Sequence, residues 1–281
     1  MNEHINLIKS GLNESIVEKV LDFYSSIEEM YACWGVSDSP MVESSVKISS
    51  DSISYNRYSI PIFGINGAEI WQQKEKLLDL MAVPEELYDV LINRHNENVR
   101  IIAGINFDMN VKRIYFQEAN EGYGYEFDSN GHWDLKTYSL VPPENYAYVI
   151  EDLKKLIPST RIFYEIMNLI PPDDWNQIST RNASGLVLGY HISTGSKMCL
   201  NSLEKSIFYL VSELNAGSED FFIWFEKNKN TYLHWLGIGY TEKAGLEITL
   251  YLRCNEESWD SHYPPLDLIT YLNKRVFNLE K

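Results

Sequence analysis

Runs in which apolar and polar residues alternate, each doubling back across a short polar or glycine-containing turn, recur five times along the chain. They lie at Ser45–Phe63, Ile101–Glu118, Gly124–Val141, Gly185–Asn201 and His234–Arg253. Period-two alternation with a β-branched and aromatic bias is the pattern of a half-buried strand, so each run reads as a hairpin. The clearest copy is IIAGINFDMNVKRIYFQE, which turns at Met109-Asn110. Turns are expected likewise at Asn130-Gly131, Thr194-Gly195 and Lys243-Ala244-Gly245.

Between the hairpins the apolar spacing changes to three or four. Asn13–Trp34 places Ile16, Val20, Phe23, Ile27 and Tyr31 on one helical face, with Gly35 just beyond its end. Glu69–His95 reads as two helices broken near Ala82-Val83-Pro84, because the residue before proline is pushed out of the α region. Further helices are expected at Pro142–Ile157, Arg161–Ile170, Leu203–Leu214, Glu219–Asn228 and Pro265–Leu279. Five helix-and-hairpin copies in series predict an α+β fold: a ten-stranded antiparallel β-barrel of five repeated αββα-type hairpin units, ringed by helices. One domain spanning residues 1–281 accommodates it.

The strand faces carry the chemistry. Glu43, Ser45 and Lys47 share one face, Arg57 and Ser59 another, and Lys112 points opposite to Arg113 and Tyr115. Asp134, Lys136 and Tyr138 alternate along a third strand, and Glu247, Thr249, Tyr251 and Arg253 along the last. Such faces are either the solvent side of exposed hairpins or the lining of a wet lumen. Cations and tyrosines recur on the returning strands, as Arg57, Lys112, Tyr138, Lys197, Tyr251 and Arg253. Brought together by barrel closure, they would form a ring able to hold a polyanion such as a diphosphate.

Composition narrows the partners. A formal charge of −16 argues against nucleic acid, which demands a broad basic face. The 19 Tyr and 7 Trp suffice both for a core and for an aromatic cavity. Cys33, Cys199 and Cys254 are far apart and odd in number, against a disulfide framework or a structural zinc site. With no long apolar run and no secretory leader pattern, no membrane partner and a cytoplasmic location are expected. GxxxxGK[ST], GxGxxG, GxSxG, HExxH and DDxxD are all absent. Asp173-Asp174 reads as a turn or helix cap, and His132 and His234 as structural residues beside tryptophans.

Three stretches, VESSVKISSDSISYNRYSI (Val42–Ile60), AGINFDMNVKRIYF (Ala103–Phe116) and WLGIGYTEKAGLEITLYLR (Trp235–Arg253), resemble the cyanobactin peptide prenyltransferases, small members of the ABBA (αββα-barrel) prenyltransferases. The resemblance implies transfer of a dimethylallyl or geranyl group from its diphosphate to a peptide side chain, Tyr, Trp or Arg among others, in a macrocyclic natural product. It implies magnesium as cofactor and a monomeric enzyme. It carries the catalytic acidic residue onto Glu43, the diphosphate-binding residues onto Arg57, Lys112, Tyr138 and Tyr251, and the prenyl pocket onto Val187; Lys197 and Arg253 join the diphosphate clamp by their place on the returning strands, although the family pattern does not support Lys197. A small aromatic metabolite as acceptor, or a catalytically silent ligand-binding barrel, are the alternatives.

Overall fold

The computed structural model describes residues 3–33, 40–62, 74–94, 100–106, 110–117, 121–157, 159–214 and 219–254. Ten strands form one closed antiparallel sheet: β1 (Glu43–Ile48), β2 (Ile53–Ile62), β3 (Arg100–Asn106), β4 (Val111–Gln117), β5 (Glu121–Asp128), β6 (Trp133–Val141), β7 (Gln177–Asn182), β8 (Leu186–Cys199), β9 (Tyr232–Thr241) and β10 (Gly245–Arg253). Each strand pairs with its neighbours in sequence, and β1 closes the barrel on β10 with Ser45 opposite Tyr251. Closure leaves no unpaired edge.

Eight described helices surround it: α1 (Glu3–Lys9), α2 (Glu14–Cys33), α3 (Lys74–Leu80), α4 (Glu85–Arg94), α5 (Tyr146–Leu156), α6 (Thr160–Leu169), α7 (Glu204–Leu214) and α8 (Glu219–Asn228). Local chemistry sets their ends. Pro84 precedes α4 and accepts its first-turn hydrogen bond from Tyr88 N at 2.8 Å, with Glu85 and Glu86 at the positive end of the dipole. Ser159 caps α6 by accepting from Ile162 N at 3.4 Å. The helix expected over Pro265–Leu279 lies outside the described residues.

The apolar half of each strand packs against these helices in two clusters. Ile60, Ile101, Ile114, Phe116, Tyr125 and Phe127 meet α1 to α4, while Ile48, Ile178, Ile192, Leu236, Ile238 and Leu250 meet α5 to α8. Each such side chain contributes about 1.5–3 kcal/mol on burial. The core is therefore a shell between barrel and helices, and the barrel's other face is free to be polar.

The fourth hairpin differs from expectation. Thr194-Gly195 is not a turn but lies inside β8, a strand of 14 residues. Thr194 donates through Oγ1 to the carbonyl of Leu233 and lies 3.2 Å from that of His234 on β9, and the register shifts between Ser193 and Met198. A locally turn-prone dipeptide is absorbed as a bulge because the ladder to β9 continues past it. The hairpin partner is β7, built from the polar QISTRN. Its turn falls at Ala183–Gly185, where Leu186 N donates to Ala183 O at 3.1 Å and Gly185 takes φ 71°.

Candidate active site

Cross-strand register brings the polar faces into the lumen. Ser45 pairs with Arg57 and Arg57 with Asn106; Gly104 pairs with Arg113 and Arg113 with Glu126. On the far wall Tyr138 faces Arg181, and Ser179, His191, Gly237 and Thr249 form a continuous row. Alternation with the buried apolar residues of the outer shell fixes these side chains inward.

Cations outnumber carboxylates there. Lys47 Nζ pairs with Glu247 at 2.7 Å, Lys136 Nζ with Glu126 at 2.5 Å, and Arg113 with the same Glu126. Burial raises the Glu126 carboxyl, but Arg113 and then Lys136 outweigh it and hold the group down at about 2. Burial pulls Lys136 down to about 8 despite Glu126. Arg181 lays its guanidinium over Gly239, where a Cβ would come within 2.5 Å of Nη2. Arg57 is 6% exposed, and its Nε and Nη1 have no hydrogen-bond partner among the described residues. Burial, then the neighbouring Arg113, push its pKa below the ordinary arginine value. A buried guanidinium with idle donors is costly unless an anion joins it.

Aromatic rings line the same space. Tyr115 and Tyr138 have centroids 6.0 Å apart, Tyr138 and His191 5.3 Å, and His191 and Tyr251 5.4 Å. Together they make an arc from β4 to β10. Its start depends on Gly124, because a Cβ there would sit 2.6 Å from the Tyr115 ring. Faces of such rings stabilise cations, and their bulk excludes water.

Glu43 occupies a separate part of the lumen, one alternation beyond Ser45. Its carboxylate lies 3.9 Å from Arg253 Nε. Burial raises its pKa to about 7, with Arg253 and then Arg57 pulling the other way. Arg253 also acts on His4 and His234, each held below the ordinary histidine value first by burial.

Of the residues singled out from sequence, Arg57, Tyr138 and Tyr251 meet in the cationic, aromatic region, and Glu43 and Arg253 pair beside it. Lys112 does not join them. It lies on the outer face, where Nζ donates to Met81 O at 2.7 Å, and its neighbour Arg113 faces inward instead. Val187 is 55% exposed at a register shift, and Leu186 is the side chain over Gly189 and Gly239. The Lys197 side chain lies outside the described residues. His132 pairs with Asp128 at the exposed β5–β6 turn, and Asp173-Asp174 sit in a 3-10 turn, as expected. Sequence reasoning had Arg113, Tyr115 and Lys136 on candidate faces without selecting them, and Glu126, Arg181 and His191 escaped it. The inward parity of Arg113 with Tyr115 was the available signal; for Arg181 and His191 it was hidden by the misplaced fourth turn.

No protein-family model and no curated protein sequence matches the chain. Its similarity lies in three dimensions. The structure superposes on 5-dimethylallyltryptophan synthase from Streptomyces coelicolor with a TM-score of 0.63 at 8% identity, covering 90% of this chain and 95% of that one. It superposes on the prenyltransferase PriB, solved as a ternary complex with L-tryptophan and dimethylallyl thiolodiphosphate, with a TM-score of 0.58 at 9% identity, covering 91% and 95%. This is the ABBA prenyltransferase fold. The ABBA barrel explains the element order found here, five hairpins in series with the last closing on the first. At such identities the fold alone is shared, so the chemistry of this barrel rests on its own lumen. Among the described residues no helix is long and apolar enough to cross a membrane.

Proposed function

We propose that the chain is a prenyltransferase that moves a dimethylallyl or geranyl group from its diphosphate to a neutral aromatic side chain of a peptide, as in cyanobactin-type biosynthesis. One observation carries the reading: the idle, buried guanidinium of Arg57 stands among Arg113, Lys136 and Arg181 beside the arc of Tyr115, Tyr138, His191 and Tyr251. Four cations suit a diphosphate, whose negative charge grows at the leaving oxygen as the allylic carbon–oxygen bond breaks. The aromatic faces suit the allylic cation left behind. A barrel that only held a hydrophobic ligand would have no use for idle buried donors.

The reaction releases a proton from the acceptor, and Glu43 in its ionised form would take it. With a pKa of about 7, Glu43 is near half ionised at neutral pH. Lys136, at about 8, loses its charge above that value. A bell-shaped kcat/KM with limbs near these two values is expected from a pH series, and a flat profile would argue against both roles. The cationic lumen also weighs against an arginine acceptor, since a second guanidinium beside Arg57 and Arg253 would be repelled.

The magnesium implied by the resemblance does not fit a protein-held site. Glu126 and Glu247 are engaged by cations, Glu43 faces Arg253, and among the described residues no three His, Cys, Asp or Glu side chains converge. A chelator in the assay is therefore expected to lower kcat/KM by less than about tenfold, the span of one 1.4 kcal/mol contact; complete loss would show an ion essential to the donor complex.

A small aromatic acceptor is the second reading, favoured by the tryptophan bound in PriB, which shares the fold. Mass spectrometry decides, after incubation with dimethylallyl or geranyl diphosphate and either free tryptophan and tyrosine or cyclic peptides bearing Tyr, Trp, Ser, His or Arg. A prenyl gain on a Tyr or Trp peptide is the expected result. A gain on free amino acid alone would favour the second reading, and diphosphate binding with no transfer to any acceptor would favour a silent barrel.

A further inference from the structure

We propose that His191 is a conditional ligand of the donor's diphosphate: the imidazole takes up a proton as the donor seats and presents an imidazolium to the leaving group. The proposal rests on the prenyl-transfer reading above and adds a group that the empty barrel keeps uncharged.

The geometry comes first. His191 faces the lumen from β8, and its ring lies against the bare wall at Gly237, where a Cβ would stand 3.3 Å from both Cδ2 and Nε2. Tyr138 and Tyr251 hold it on two sides, with Tyr251 Oη 3.4 Å from Nε2. Around it are Lys136 and Tyr138 of β6, Arg181 of β7, Tyr251 of β10, Arg57 of β2 and Arg113 of β4; β9 presents only glycine there. The carboxylates of Glu126 and Glu247 are spent on Arg113, Lys136 and Lys47.

The electrostatics follow. Burial, then Arg181, Arg57, Lys136 and Arg113, hold the imidazole well below its ordinary value, so it is neutral in the empty barrel. Those four cations are the ones a diphosphate would neutralise. Once it sits among them, the field that kept the proton off His191 is cancelled, and phosphate oxygens need donors. An unprotonated nitrogen would turn a lone pair towards them, whereas an imidazolium N–H makes a charge-assisted bond. Burial of the charged imidazole is then offset by its partner. The extra cation thus appears only when there is an anion to meet it.

The test is calorimetry of the unreactive donor analogue dimethylallyl thiolodiphosphate at about pH 6, in buffers of different ionisation enthalpy, on the wild-type chain and on His191→Gln. At this pH Lys136 is already charged and Glu43 largely protonated. The wild type should take up close to one proton more than the variant, and the affinity difference should shrink towards pH 9, about two units above the ordinary histidine range. Equal proton uptake with both proteins binding would overturn the role of His191 while leaving prenyl transfer standing. Failure of the wild type to bind the analogue would overturn both. If His191→Gln does not fold, histidine-labelled wild type serves instead: of its 6 histidine signals, one should move from the neutral to the imidazolium position on adding the analogue. No such movement would sink the proposal.

Discussion

Neighbouring residues on one strand can have opposite fates, and Lys112 and Arg113 show it. Lys112 makes one partly buried bond to a backbone carbonyl outside the barrel, so Lys112→Ala should cost about 1 kcal/mol of stability and leave donor affinity unchanged. Arg113→Leu should instead weaken donor binding, by about 10- to 100-fold at 1.5–3 kcal/mol per bond to a charged group; calorimetry on both variants checks the pair. Glu43 makes a second, subtler case. Its folded pKa of about 7 lies above the 4.5 of an ordinary Glu, so between these values the folded chain binds more protons than the unfolded one. Stability contributed by the protonated form is therefore full below about 4.5 and lost as pH rises through about 7. Glu43→Gln should raise Tm by several degrees at about pH 8, little at about pH 4, and abolish transfer; the shift is worth roughly 3 kcal/mol at 1.36 kcal/mol per pKa unit. Melting curves at the two pH values would show an unchanged difference if the carboxyl were not strained.

Among the elements, the fourth hairpin shows where local patterns stop being sufficient. Four of the five hairpins, the α2 helix and the break at Ala82 follow from apolar period and turn chemistry, because packing against the helical shell agrees with each local preference. In β7 and the far end of β8 the two disagree. QISTRN has little apolar content since its inward residues, Ser179 and Arg181, serve the lumen, and Thr194-Gly195 looks like a turn until β9 is beside it. The same misplacement hid His191 and Arg181, so half of the far wall was illegible for one reason. Lys112 was a different loss: alternation alone says that it and Arg113 face apart, and only closure says which faces in. Two glycines separate the roles of turn and wall. Gly185→Ala, at φ 71°, should cost about 1–2 kcal/mol without altering donor binding. Gly124→Ala must displace the Tyr115 ring and should cut kcat more than it lowers Tm. Equal effects of the two on kcat would deny the tyrosine arc a part in the chemistry.

For the whole molecule, the notable feature is a chain of net charge −16 that encloses a cationic lumen. The negative charge repels free diphosphates at long range, so any binding would come from close contacts within the barrel. The barrel is held in a state that opposes its own stability: Arg57 has idle donors, and burial, then the neighbouring Arg113, depress its pKa. Filling the site with inorganic pyrophosphate should relieve this, adding about 2.7 kcal/mol at 100 times Kd, a rise of roughly 5–10 °C in Tm. Arg57→Leu then makes the opposing pair of changes. Replacing an unsatisfied buried charge by a side chain that fits the lumen should raise the Tm of the empty protein, because the desolvation cost and the repulsion from Arg113 both vanish. The same substitution should shrink the pyrophosphate-induced rise, since two idle donors are gone. Thermal melts of both proteins with and without pyrophosphate contain the full comparison. A variant that melts lower when empty and gains as much from pyrophosphate as the wild type would mean that Arg57 serves the fold, not the donor.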